Sequence, residues 1–270
     1  MGFSYLYSPD DSKIVNPKKR IMSGHSKWST IKRKKGALDA KRGKIFTRLI
    51  KEISIAVKEG GPDPDGNPRL RLAIQNAKGE NMPKDNIERA IKKAAGADSE
   101  SYMEVTFEGY ATHGIAVFVE CLTDNNNRSV SSVRSIFNKY GGNLGTNGSL
   151  SFLFDRKGIF RIAADNINLE EVELDLIDAG VEDIEEEDGF INLTSAMEDF
   201  GSLNKKLEDL NIEVASADLQ RIPNDTKELD VDSAQKVLKL IEALEDDDDV
   251  QNVYHNLEMT DELQEALESE

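Results

Sequence analysis

The sequence predicts an α+β protein: an N-terminal all-helical domain followed by two ferredoxin-like α+β domains, one inserted in the other. Three observations predict it. Apolar residues recur at helical spacing through the first hundred positions, short β-branched runs alternate with helical patterns after that, and one complete strand-helix-strand-strand-helix-strand unit is flanked by elements that together complete a second, split β-α-β sandwich. At 270 residues, more than one core is expected.

From Asp39 to Lys58, Ile45, Phe46, Leu49, Ile50, Ile53 and Val57 gather into one arc of roughly 140° at 3.6 residues per turn. Lys41, Lys44, Arg48, Lys51 and Lys58 fall opposite, and only Arg42 intrudes on the apolar arc. The expectation is a helix with one buried face and one row of solvent-facing cations. The run GGPDPDGNPRL at 60–70 stops that helix and is too long for a helix-turn-helix turn. Its Asp63 and Asp65 match a calcium loop poorly, because Pro64 intervenes and later ligands are missing. Leu70, Ala73, Ile74 and Ala77 then predict a second helix, and Pro83 to Gly96 a third, with Ile87, Ala90, Ile91 and Ala94 inward.

Beyond residue 100, MEVTFEGY and GIAVFVECL read as strands, NRSVSSVRSIFNKYGG as a helix closed by Gly141, and SLSFLF as a third strand. The next stretch gives GIFRIA, LEEVELDLIDAG, VEDIEEE, FINLT, AMEDFGSLNKKLEDL and IEVASADL in ferredoxin-like order, with Ser195 and Glu198 as a capping box. A last helix, VDSAQKVLKLIEALEDDDD, and strand, VQNVYHNLEM, have no sheet of their own and complete the earlier one. The expected division is an extension at 1–21, a basic helical domain at 22–100, an α+β domain at 101–156 plus 219–270, and an acidic insert at 157–218.

The formal net charge of -17 hides a segregation: residues 1–100 carry 22 Lys+Arg against 12 Asp+Glu, and residues 101–270 carry 12 against 39. A basic end on an acidic chain points to a polyanionic partner. Its densest part supplies His25, Lys27, Lys32, Arg33, Lys34, Lys35, Lys41, Arg42, Lys44, Arg48 and Lys51 as candidate phosphate contacts. Trp28 lies in the same run, where it could stack on a base, although anchoring on the core is the commoner role of a large aromatic. The acidic runs at 182–188 and 246–249 read as ordinary solvated surface, with a basic protein partner as the functional alternative.

Other chemistries find no footing. The single Cys121 excludes an internal disulfide, and His25, His113 and His255 are dispersed, so neither metal nor cofactor is expected. GGNLGTNG at 141–148 follows a helix and precedes a strand, the reverse of a dinucleotide loop. No catalytic constellation appears, so a non-enzyme is expected. Residues 1–21 lack a secretory signal, and no apolar run is long enough to cross a bilayer; a cytoplasmic protein without membrane contact is expected.

The blocks MSGHSKWSTIKRKKGALDAKRGKIFTRLIKEI, GGPDPDGNPRLRLAIQNAKGENMPKDNIERAIKKAAG and DDDDVQNVYHNLE resemble the YebC/PmpR family, whose relatives include mitochondrial translational activators of cytochrome oxidase subunit I. The resemblance spans Met22 to about Glu258 and implies three domains, the third inserted in the second. It implies a DNA-binding transcriptional regulator, with ribosomal RNA and relief of stalled translation as the alternative; independently of it, the acidic ferredoxin-like domains leave a protein-binding adaptor as a third reading. The basic positions from Lys27 to Lys44 match the family's N-terminal motif. Because such proteins begin at the HSKW block, Met22 is the expected native start.

Overall fold

The structure, a computed structural model, describes residues 28, 38–96, 101–187 and 189–269. These contain eight α-helices and two four-stranded antiparallel sheets. The α+β class expected from the pattern is the one observed.

Three helices come first: α1 (Leu38–Gly60), α2 (Pro68–Gly79) and α3 (Lys84–Ala94). Their shared core is rich in small residues, with Ile53, Ala56, Leu70 and Ala77 fully buried. Asn67 joins the first two helices. Its side chain accepts from Leu70 N at 3.0 Å as the cap of α2 and donates to Ala56 O at 2.7 Å and Gly61 O at 2.9 Å. Pro68 suits the first helical position, where its missing N–H would have no partner. Asp63 Oδ1 accepts from Asp65 N at 3.1 Å, so the Asp-Pro-Asp run makes a local turn.

The first sheet uses β1 (Met103–Tyr110), β2 (Ala116–Thr123), β3 (Asn143–Leu144) and β8 (Val250–His255), in the order β3-β1-β2-β8. Against it pack α4 (Asn126–Lys139), α7 (Val231–Glu245) and α8 (Asp261–Ser269), burying Val133, Phe137, Val237 and Ile241 completely. The second sheet lies between β3 and α7 in the chain. It uses β4 (Phe154–Ala163), β5 (Val181–Glu187), β6 (Phe190–Ala196) and β7 (Val214–Pro223), in the ferredoxin-like order β5-β6-β4-β7 with α5 (Leu169–Asp178) and α6 (Phe200–Asp209).

Two local expectations are corrected. SLSFLF is not a third strand: residues 151–153 form a 3-10 turn, and Asn143–Leu144 takes the sheet edge. The cause is Glu108, whose buried carboxylate accepts from Gly148 N at 2.7 Å and Leu150 N at 2.5 Å, drawing those donors away from any ladder. The glycine loop therefore wraps an internal carboxylate, with Gly141 at φ +74 ending α4. Nor do Ser195 and Glu198 make a capping box. Ser195 is fully buried in β6 and donates to Ala196 O, while Asp199 occupies the N-cap of α6.

Both sheets are fastened to their neighbours. Phe118 meets Phe154 edge-on at 6.1 Å, and Arg221 lies 3.9 Å over Phe118 while donating to Glu120 at 2.9 Å. On the outer edge of β7, Asn76 of α2 exchanges two hydrogen bonds with the Ala217 backbone, each 3.0 Å, so a side-chain amide covers an otherwise open strand edge.

Candidate nucleic-acid interface

Three cations of α1, Lys44, Arg48 and Lys51, meet the acidic turn after α7. Lys44 Nζ donates to Asp246 Oδ1 at 2.8 Å and to Asp246 O at 3.1 Å. Arg48 Nη2 donates to Glu245 O at 2.6 Å, and Lys51 Nζ to Asp248 O at 2.6 Å, Leu122 O at 3.0 Å and Asp249 Oδ1 at 3.3 Å. The final carbonyls of a helix carry partial negative charge and lack intrahelical donors, so cations at that end complete it.

This arrangement corrects two expectations, for Lys51 and Arg48, and for Trp28 it selects the anchoring role over base stacking. Lys51, with a side chain 8% exposed, is enclosed with its counterion and cannot reach a phosphate. Arg48 is half-buried, and its charge is already engaged. Trp28 is buried in the core of the first sheet with Nε1 donating to Glu245 Oε2 at 3.3 Å, so its ring is closed to base stacking. The acidic run at 246–249 is not ordinary solvated surface either. Asp249 is buried and accepts from Arg128 Nε at 3.0 Å, Arg128 Nη2 at 2.8 Å, Ser129 Oγ at 2.9 Å and Thr123 Oγ1 at 3.2 Å. Ser132 donates to Asp247.

The electrostatics follow from this packing. Burial alone would raise the Asp249 carboxyl, but Arg128, Ser129 and Lys51 outweigh it and hold the group down at about 2. Glu52, on the same helix, goes the other way: burial and the nearby Asp218 push it up to about 8, against the opposing pull of Arg69 and Arg48. Burial likewise pushes the Cys121 thiol up to about 12, leaving it no thiolate at neutral pH. Among the described residues, no cluster of three or more His, Cys, Asp or Glu is placed to hold a metal, and no helix is long and apolar enough to cross a membrane.

Of the remaining candidates, Arg42 is exposed and donates to Asn81 O at 3.3 Å, and Lys44 stays partly open beside Asp246. His25, Lys27, Lys32, Arg33, Lys34 and Lys35 lie outside the described residues, as does the side chain of Lys41. The structure adds cations that the sequence reading passed over. Lys84, Arg89 and Lys92 are exposed along α3, while Arg71 and Lys78 are exposed on α2. A helical wheel drawn for 84–94 as for 39–58 would have found the α3 row, since Ile87, Ala90 and Ala94 face inward.

Comparison with known proteins agrees with this architecture. Residues 26–97 match the family model for the TACO1/YebC protein N-terminal domain, and residues 102–257 match that for the TACO1/YebC second and third domain. A protein of Amoebophilus asiaticus called "Probable transcriptional regulatory protein" is 57% identical over 239 residues, covering 87% of this chain and 98% of the relative. A Finegoldia magna protein of the same name is 53% identical over 237 residues, with 87% and 98% covered. The crystal structure of a conserved hypothetical protein from Aquifex aeolicus superposes with a TM-score of 0.73 at 45% identity, covering 82% of this chain and 92% of that one. With the helical region and both α+β units matched, the chain belongs to the TACO1/YebC family.

Proposed function

We propose that the chain is a non-enzymatic, cytoplasmic regulator of gene expression that binds nucleic acid by its phosphates, with duplex DNA in transcriptional control as its target. The observation that carries this is the charge segregation: a basic first hundred residues on a chain of net charge -17. Each phosphate neutralised by Lys or Arg releases a condensed counterion, which gives affinity without requiring base contacts. The relatives' name supports the regulatory role. The cations that do the work are Lys27, Lys32, Arg33, Lys34, Lys35, Lys41 and Arg42 with the exposed rows on α2 and α3, because Arg48 and Lys51 are engaged within the chain.

Reversing Lys32, Arg33, Lys34 and Lys35 to Glu tests the reading. Binding to short DNA and RNA at low salt should fall at least tenfold, and unchanged binding sinks it. A second reading, translation with ribosomal RNA as target, is favoured by one observation: the long 60–70 connection stands where a helix-turn-helix reader of the major groove has a tight turn. A sucrose gradient separates the two. Co-migration with ribosomal subunits after nuclease trimming of messenger RNA selects translation, and absence from those fractions selects DNA.

A further inference from the structure

An open cleft of about 750 Å3 lies between α2 and the inserted domain, with walls of opposite character. On the helical side stand Lys78 and Arg71, whose Nη1 donates to Pro64 O at 2.9 Å and Asp65 O at 2.8 Å while the rest of its exposed guanidinium stays open, with Asn81 at the rim. On the inserted side stand Asn166, Asn204, Glu208 and Glu213, and Ile74 and Ile212 contribute apolar surface. One wall offers cations; the other offers carboxamides, which both donate and accept, and carboxylates, which only accept.

The walls are held at fixed spacing. Asn76 is bonded to both backbone groups of Ala217, and α2 approaches β7 so closely that a Cβ on Gly79 would sit 1.8 Å from Ala215 O. The volume falls within the range of small-molecule clefts. At about 750 Å3 it cannot enclose a duplex, whereas a short single-stranded stretch fits with its phosphates along α2 and its bases turned towards α6.

We propose that this cleft binds an unpaired nucleotide segment, phosphates on Arg71 and Lys78, and base edges on Asn166, Asn204, Glu208 and Glu213. The inference rests on the nucleic-acid reading above and adds to it, beside the basic region that meets the target's phosphates, a separate site for an unpaired stretch. The wall chemistry also sets a preference. Carboxylates accept from exocyclic amines and ring N–H groups alike and discriminate little, but Asn pairs bidentately with N6 and N7 of adenine, so the two Asn residues favour adenine over uracil or thymine.

The test measures fluorescence anisotropy at low salt with labelled oligo(A), oligo(U), oligo(dA), oligo(dT) and a DNA duplex of equal length, for the full chain and for an Asn166→Ala/Asn204→Ala variant. Both substituted positions lie at the solvent edge of the inserted domain, and circular dichroism verifies the fold. The expected result is tighter binding of oligo(A) than oligo(U), and of oligo(dA) than oligo(dT). The variant should lose about tenfold on the adenine strands and keep its duplex affinity. Preference for oligo(A) over oligo(dA) identifies RNA as the source, and the reverse identifies DNA. Lys78→Ala, which leaves the inserted wall intact, should weaken adenine and uracil strands alike. Duplex binding with no base preference and no effect of the Asn substitutions overturns the cleft while leaving the proposed function standing. Binding to none of the five probes overturns both.

Discussion

Lys51 and Asp249 show how a residue's chemistry is decided by its partner rather than by its charge. Either one alone would be an uncompensated ion in a closed site; together with Arg128 and Ser129 they hold α1 to the turn after α7. Asp249→Ala should cost about 3 to 5 kcal/mol in urea unfolding, because both cations lose their acceptor and Lys51 remains buried. The Asp249 carboxyl titrates at about 2 when folded, whereas an unfolded aspartate titrates near about 4. Its contribution is therefore complete above about pH 4 and is lost as pH falls through 2. Glu52 has the opposite sign. With its folded value at about 8 and an unfolded glutamate near about 4.3, stability declines as pH rises between those values. Glu52→Gln should flatten that decline and raise the unfolding midpoint at pH 8 relative to pH 5. Cys121, at 2% exposure, should resist a thiol reagent at neutral pH in the native protein and react promptly in denaturant.

At the scale of elements, α1 was legible as a helix from its spacing, and its apolar face is the one that packs on α2 and α3. What the wheel could not give was the destination of the other face, because spacing reports which side chains share a side and not what lies across from it. The acidic run at 246–249 stands about two hundred residues away, and only the folded chain brings the two together. Trp28 shows the same limit: its burial was anticipated, but the core that holds it belongs to the first sheet. The Glu108 loop and the strand position of Ser195 were missed because local turn and cap signals yielded to tertiary hydrogen bonds and burial. By contrast, the strand and helix order of the inserted unit could be read directly, since its alternation is regular. At the junction of α2 and β7, Gly79→Ala should cost about 1 to 3 kcal/mol, because its methyl must displace the Ala215 backbone. Hydrogen exchange should then speed up at 214–217, whereas Gly43→Ala, with open space around it, should leave stability within about 0.5 kcal/mol or raise it.

Across the whole molecule, one part of the positive charge fastens the helices to the fold, and the rest is the part proposed above to meet a polyanion. The most direct test of that division is the salt dependence of binding to a short DNA duplex, measured for the unaltered chain beside the Lys32, Arg33, Lys34 and Lys35 reversal. For the unaltered chain, the logarithm of affinity should fall linearly with the logarithm of salt, and the reversal should bind more weakly with a slope shallower by about 3 to 4. Affinity that ignores salt, or identical slopes for the two proteins, would contradict a phosphate-binding role for the basic region.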